Sequence, residues 1–246
     1  MKFLKNNWFT LLVMVLLFNV EPAFAGPGGY IAKGLFKSFW GKILLGVLTL
    51  VLLPFILYVY FTEKIAVMKN KKILLKLSAT HKDFNWMHLE KEFSHIVRRV
   101  YIAWANEDMA EVKEYVNHWY WQNQQIVNLD YWKRQNLKNV SRLRTLEKVN
   151  PLYLEFSSEE NLNGTRIAIR IDVEVEDYLL DNETNKIIEG KKGYQNVDYV
   201  WFFEYENGKW LLDDIREGAT SLGFAKLANV IPANVAQQIA SPVLTR

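Results

Sequence analysis

A run of about 20 residues without a charge, "ILLGVLTLVLLPFILYVYFT" from Ile43 to Thr62, constrains this chain more than any other feature. At about 1.5 Å of rise per residue, a helix of that length matches a hydrocarbon core ~30 Å thick. It predicts a membrane span over 43–62. Pro54 is tolerated in lipid as a kink, and Trp40, Tyr58 and Tyr60 fall where interfacial aromatics collect. Upstream, Lys2 and Lys5 precede an apolar run from Trp8 to Phe18, then Pro22 and Ala23-Phe24-Ala25. That is the three-part pattern of a secretory signal over 1–25, with an A-x-A cleavage site. A signal inserted with Lys2 and Lys5 inside leaves 26–42 as a short external segment, and the span then returns the rest of the chain to the cytoplasm.

Behind the span, "EKIAVMKNKKILLKL" carries Lys64, Lys69, Lys71, Lys72 and Lys76. A basic segment over 63–82 gains about 1 kcal/mol per lysine from anionic headgroups, and equally serves as a positive-inside stop signal. The chain has no cysteine, so disulfides, thiolate metal sites and cysteine nucleophiles are excluded. Its net charge of +3 does not describe a nucleic-acid binder, and the basic-aromatic stretch from Tyr131 to Arg144 is too short to change that.

From residue 83 the pattern is that of a water-soluble domain. Leu89, Phe93, Ile96, Val97, Val100, Tyr101 and Trp104 recur at helical spacing, and Asp108-x-x-Glu111 reads as a capping box for a second helix with Val112, Tyr115, Val116, Trp119 and Tyr120 on its stripe. After Asn150 the period becomes two. A short strand is expected over Leu152–Phe156, and Thr165, Ile167, Ile169, Ile171, Val173 and Val175 form the apolar face of a long one. A third strand is expected from Tyr194 into the hairpin "YVWFFEYENGKWLLDDI", whose Asn207-Gly208 suits a type I′ turn. That turn sets Tyr205 opposite Trp210 and Phe203 opposite Leu212. Trp201, Phe203, Tyr205, Trp210 and Leu212 then share a face, with Asp214 at its far end. The fold class is α+β: N-terminal helices on a curved antiparallel sheet of about four strands, with the other sheet face left for the tail over 217–246 or for a partner.

Phe93, Ala103-Trp104 and Asp108, followed by Trp201-x-Phe203 and Trp210-x-Leu212-x-x-Ile215, resemble the Tim forty-four-like domain family within the nuclear transport factor two-like superfamily. The similarity spans about 83–216. With a signal segment and a span in place of a long charged N-terminal region, the chain looks like the bacterial inner-membrane type. The resemblance implies a cone-shaped domain enclosing an apolar groove, walled by Phe93, Val97, Tyr101, Trp104, Trp201, Phe203, Tyr205, Trp210 and Leu212. It also implies a role in protein transport or membrane biogenesis, binding a protein segment or a lipid, with anionic lipid contacted by the lysines between Lys64 and Lys76.

No phosphate loop, zincin or hydrolase motif is present in the sequence, and no cofactor is expected. His88, Glu92 and His95 share a helical face but read as a solvated surface rather than a metal site. Superfamily members that are isomerases or dehydratases hold an Asp or His in the cone. Asp214 and His118 are the residues here that such chemistry would use, the alternative being that the cone is only a binding wall.

Overall fold

The computed structural model describes residues 38–240, so the signal segment, most of the external segment and the last six residues of the tail lie outside the described residues. The chain divides into two units, one ending at Phe61 and the other beginning at Thr62. In the first, helix α1 (Phe39–Leu77) begins; it is long and apolar enough to cross a membrane, with Pro54 inside it.

The second unit opens with the rest of α1, where the lysines had masked a stripe. Ala66, Asn70, Ile73, Leu74 and Leu77 recur on one face and are buried. Lys64, Lys69 and Lys72 stay exposed, while the Lys71 ammonium lies 5.2 Å from the centre of the Trp86 ring. Helix α2 (Trp86–Asn106) follows, capped by the Asn85 side chain, which accepts from the N–H groups of Met87 and His88. Its stripe is buried as the spacing predicts: Leu89, Phe93, Ile96, Val97 and Val100 are at most 1% exposed.

The expected second helix is corrected. Asp108 caps only a single 3₁₀ turn (Met109–Val112), because the Glu111 carboxylate accepts from the Asn106 side chain at 3.1 Å instead of reaching back to close a capping box. The chain then extends, and Val116 bridges to Leu212, with Leu212 N–H donating to Tyr115 O and Asn117 N–H to Leu212 O. Tertiary hydrogen bonds to the sheet win over the local helical spacing. Helicity resumes in α3 (His118–Asn123), a π-helical turn (Gln124–Leu129) and α4 (Asp130–Arg134).

Four antiparallel strands follow in the spatial order of their sequence: β1 (Leu137–Glu155), β2 (Thr165–Asp181), β3 (Ile187–Glu206) and β4 (Lys209–Glu217). β1 and β3 start well before the expected strands at Leu152 and Tyr194. Register shifts at Leu143/Thr145, Leu146/Lys148 and Pro151/Tyr153 break the alternation in β1, so no period of two marks its first half. β2 buries Thr165, Ile167, Ile169, Ile171, Val173 and Val175 on one face, as its alternation requires.

At the hairpin Asn207 and Gly208 take φ of 50° and 81°, and Tyr205 pairs with Trp210 and Phe203 with Leu212. A bulge then inserts Asp213, so Phe202 pairs with Asp214 and Trp201 with Ile215. This corrects the placement of Asp214. The extra residue reverses the parity of the strand and gives the place beside Trp201 to Ile215.

The core lies between α2 and the inner sheet face. The other face is not left bare: Leu152, Ala168 and Val200 pack there with Val67 of α1 and with Phe224 of helix α5 (Ser221–Lys226). The tail returns to β1, exchanging hydrogen bonds between Val230 and residues Leu154 and Phe156, and helix α6 (Ala233–Ala240) buries Val235.

At the closed end of the cone, Phe84, Phe93, Tyr205 and Trp210 meet ring on ring, and the Tyr205 hydroxyl donates to Asp83 at 2.7 Å. Burial, then the hydrogen bond to the Asp83 carboxylate, push the Tyr205 phenol up to about 12. The ordinary value is about 10. The stabilisation from this bond is therefore fully present below pH ~10 and lost as the pH rises toward 12. Tyr205→Phe should lower the urea midpoint at pH 8, with the gap to wild type narrowing between pH 10 and 12. A gap that stays constant would assign the effect to packing.

Candidate functional site

At the other end of the core, α2 and the sheet diverge around a cavity of about 290 Å³. Helix α2 contributes Tyr101 and Trp104, α3 Tyr120, the π-helical turn Gln124 and α4 Trp132. The sheet contributes Asn139 and Ser141 from β1, Asp177 from β2, Tyr199 and Trp201 from β3, and Ile215 from β4. A wider depression of about 550 Å³ runs along the solvent face of α2 past Met87, Lys91 and His95, but its walls are solvated side chains of one helix.

Polar contacts hold the mouth in shape. Glu107, in the left-handed region at the end of α2, accepts from Asn139 N–H at 2.8 Å, and the Asn139 amide donates to Trp104 O at 2.9 Å. Gln125 accepts from Met109 N–H and donates to Asp130 and, at 3.4 Å, to Glu107 O, tying the π-helical turn to the end of α2. The wider turn rotates the following residues, so Trp132 reaches Trp104 with ring centres 6.1 Å apart. Tyr101 stacks on Trp201 at 6.3 Å. The Trp201 indole N–H is buried without an acceptor among the described residues.

Among the described residues, Asp177 is the only carboxylate in the lining, and no lysine, arginine or histidine lines the cavity. It follows Val175 on the inner face of β2, with Ser141 opposite it on β1 and Lys191 opposite on β3. No hydrogen bond or ion pair to its carboxylate is present among the described residues, Lys191 included. Asp177 is exposed at the rim of the cavity, yet partial desolvation there raises its pKa above the ordinary carboxylate value, and the Glu189 charge adds to this. Burial likewise raises the phenols of Tyr101, Tyr120 and Tyr199, the last two with the charges of Asp214 and of Asp177, respectively, adding to it. All three stay neutral across the physiological range.

The residues expected to wall a groove divide between two roles. Phe93, Val97, Phe203, Trp210 and Leu212 are at most 3% exposed inside the packed core, and Tyr205 closes the far end. Tyr101, Trp104 and Trp201 alone line the cavity. Neither Asp214 nor His118 does. Asp214 pairs with Arg216 at 3.0 Å and accepts from Ile215 N–H, while His118 is exposed beside Gln122 and Trp121. Asp177, Trp132, Gln124 and Ser141 were not anticipated. For Asp177 a signal existed, since it continues the apolar parity of β2 as an acid.

The model of the Tim44-like domain family matches residues 71–217 of the chain. No curated protein matches it. Among solved structures, the intermembrane space region of the chloroplast protein ARC6 is similar at 10% identity and a TM-score of 0.39, over 52% of this chain and 97% of that one. AclR from Streptomyces galilaeus is similar at 13% identity and a TM-score of 0.24, over 60% and 93%.

Proposed function

Because the chain belongs to the Tim44-like domain family and holds a helix apolar enough to anchor it in a bilayer, we propose that it is a membrane-anchored, non-catalytic binding module in protein transport or membrane biogenesis. Its cavity takes a segment of polypeptide. The observation that carries this reading is the aromatic cavity itself, open at the broad end of an otherwise solid core. At about 290 Å³ it lies near the lower limit of ligand pockets, which suits a side chain or short loop better than an acyl tail. A pocket enzyme finds little support, since Asp214 and His118 are held apart from the cavity by the contacts described above.

The sequence order of signal segment and span supports a bacterial inner membrane with the domain facing the cytoplasm. Exposed Lys64, Lys69 and Lys72 suit contact with anionic headgroups there. Lys71 and Lys76 are half-buried and contribute less.

The test is a photo-crosslinking residue at position 141 in the full chain in its own membrane, compared with one at position 91 on the solvent face of α2. Recurrent polypeptide adducts at 141 and none at 91 are the expected outcome. Lipid adducts alone at 141 would overturn the polypeptide reading.

A further inference from the structure

Resting on the reading of the cavity as a polypeptide site, we propose that it recognises a positive charge: the ammonium or guanidinium group of a lysine or arginine side chain, held between aromatic faces and the Asp177 carboxylate. Six of the lining residues carry aromatic rings: Tyr101, Trp104, Tyr120, Trp132, Tyr199 and Trp201. The face of such a ring is electronegative, and a cation within about 6 Å of its centre is attracted to it, most strongly where water is excluded. A purely apolar ligand would use the same rings, so the rings alone do not choose.

The carboxylate chooses. Asp177 sits at the inner-face position after Val175, the first acid in a series otherwise made of Thr, Ile and Val. Nothing among the described residues donates to it or pairs with it. Asp177 is exposed at the rim of the cavity, so its carboxylate is open to water on one side and to the rings on the other, and partial burial there raises its pKa. Glu189, close enough to raise it further, deepens the negative field, while Lys191 makes no ion pair with it despite facing it across the strands. An entering cation supplies the missing partner. An anion would meet Asp177 with no basic side chain in the lining to offset the repulsion.

The neutral polar groups fit the same occupant. Ser141, directly opposite Asp177, is 4% exposed and brings a hydroxyl, and Gln124 brings an amide. An ammonium or guanidinium has several N–H donors, more than one carboxylate satisfies. Acceptor oxygens beside Asp177 complete that set without adding charge.

The test uses the full chain in detergent micelles and follows quenching of tryptophan fluorescence. The probes are Nα-acetyl-lysine amide, Nα-acetyl-arginine amide, choline, and two neutral counterparts: Nα,Nε-diacetyl-lysine amide and 3,3-dimethyl-1-butanol. The basic amino-acid amides are expected to bind at least tenfold more tightly than the neutral probes. Asp177→Asn, which preserves shape, is expected to erase that preference. Trp132→Leu should weaken the cations more than the neutral probes, and it serves should the first variant fail to fold.

Equal binding of charged and neutral probes, no binding of any, or an unchanged preference in both variants would overturn the proposal. Choline binding more tightly than the basic amides would overturn the polypeptide source in favour of a lipid headgroup. The two readings fail separately. Polypeptide crosslinks at 141 that persist unchanged in Asp177→Asn would leave the binding module and remove the cation site. Asp177-dependent cation binding without polypeptide crosslinks would do the reverse.

Discussion

Phe93→Ala is expected to cost about 3–5 kcal/mol of folding stability. Its ring is fully buried, stacked on Phe203 at 4.2 Å, edge-on to Trp210 at 5.6 Å and 6.4 Å from Trp86. Alanine removes the transfer energy and leaves a hole that cannot collapse freely. The Asn85 cap fixes the helix on one side, and the paired hairpin fixes the rings on the other. Against a total stability of about 5–15 kcal/mol, such a loss leaves the domain marginal. Urea unfolding of the full chain in detergent measures it, with Ile102→Ala on the exposed face of the same helix as the control, expected within about 0.5 kcal/mol of wild type. A loss below about 1.5 kcal/mol would mean that the aromatic stack is not the centre of the core.

Arg170→Met is expected to cost about 2–4 kcal/mol, by a different cause. The guanidinium reaches Glu63 at 2.6 Å, Asp172 at 2.7 Å and Asp198 at 3.3 Å, and so holds three carboxylates together on the outer sheet face. Without it Glu63, 12% exposed, keeps only the Ser221 hydroxyl among the described residues, and the three acids repel one another, with Lys148 at 3.7 Å from Asp172 as a partial offset. The range is set below that of a fully buried pair because Arg170 and Asp198 are 27% and 41% exposed. Adding Glu63→Gln should return part of the loss by removing an uncompensated charge, and the double-mutant cycle reads that coupling directly. Effects that simply add would mark the contacts as solvated pairs with little bearing on where α1 meets the sheet.

The parts of the fold legible in the sequence are those where one physical rule acts alone. Alternation along Thr165 to Val175 faces one packed layer, and Asn207-Gly208 admits few turns, so β2 and the hairpin pairing follow directly. Where two rules compete, the reading slips. Bulges hide the first half of β1, and a single bulge at Asp213 moves Asp214 off the aromatic face. Lysines interleaved with Ala66, Asn70, Ile73, Leu74 and Leu77 look like a membrane-surface segment while the stripe between them packs the domain. The cavity is half legible for the same reason. Tyr101, Trp104 and Trp201 lie on regular elements, but Trp132 enters only because a π-helical turn rotates the chain, and no spacing announces that.

β3 begins well before the stretch that β4 covers. β4 pairs with it only from Tyr199 to Glu206, so the edge from Ile187 to Asp198 has no strand beside it among the described residues. Such an edge is a template for another copy, and confinement to a bilayer would bring copies together at high local density. Gly190 and Gly193 break the extended backbone with φ of 77° and 99°, and Lys191 and Lys192 stand between them. A crowded membrane population of this protein can therefore brush edge against edge without zipping into a continuous sheet.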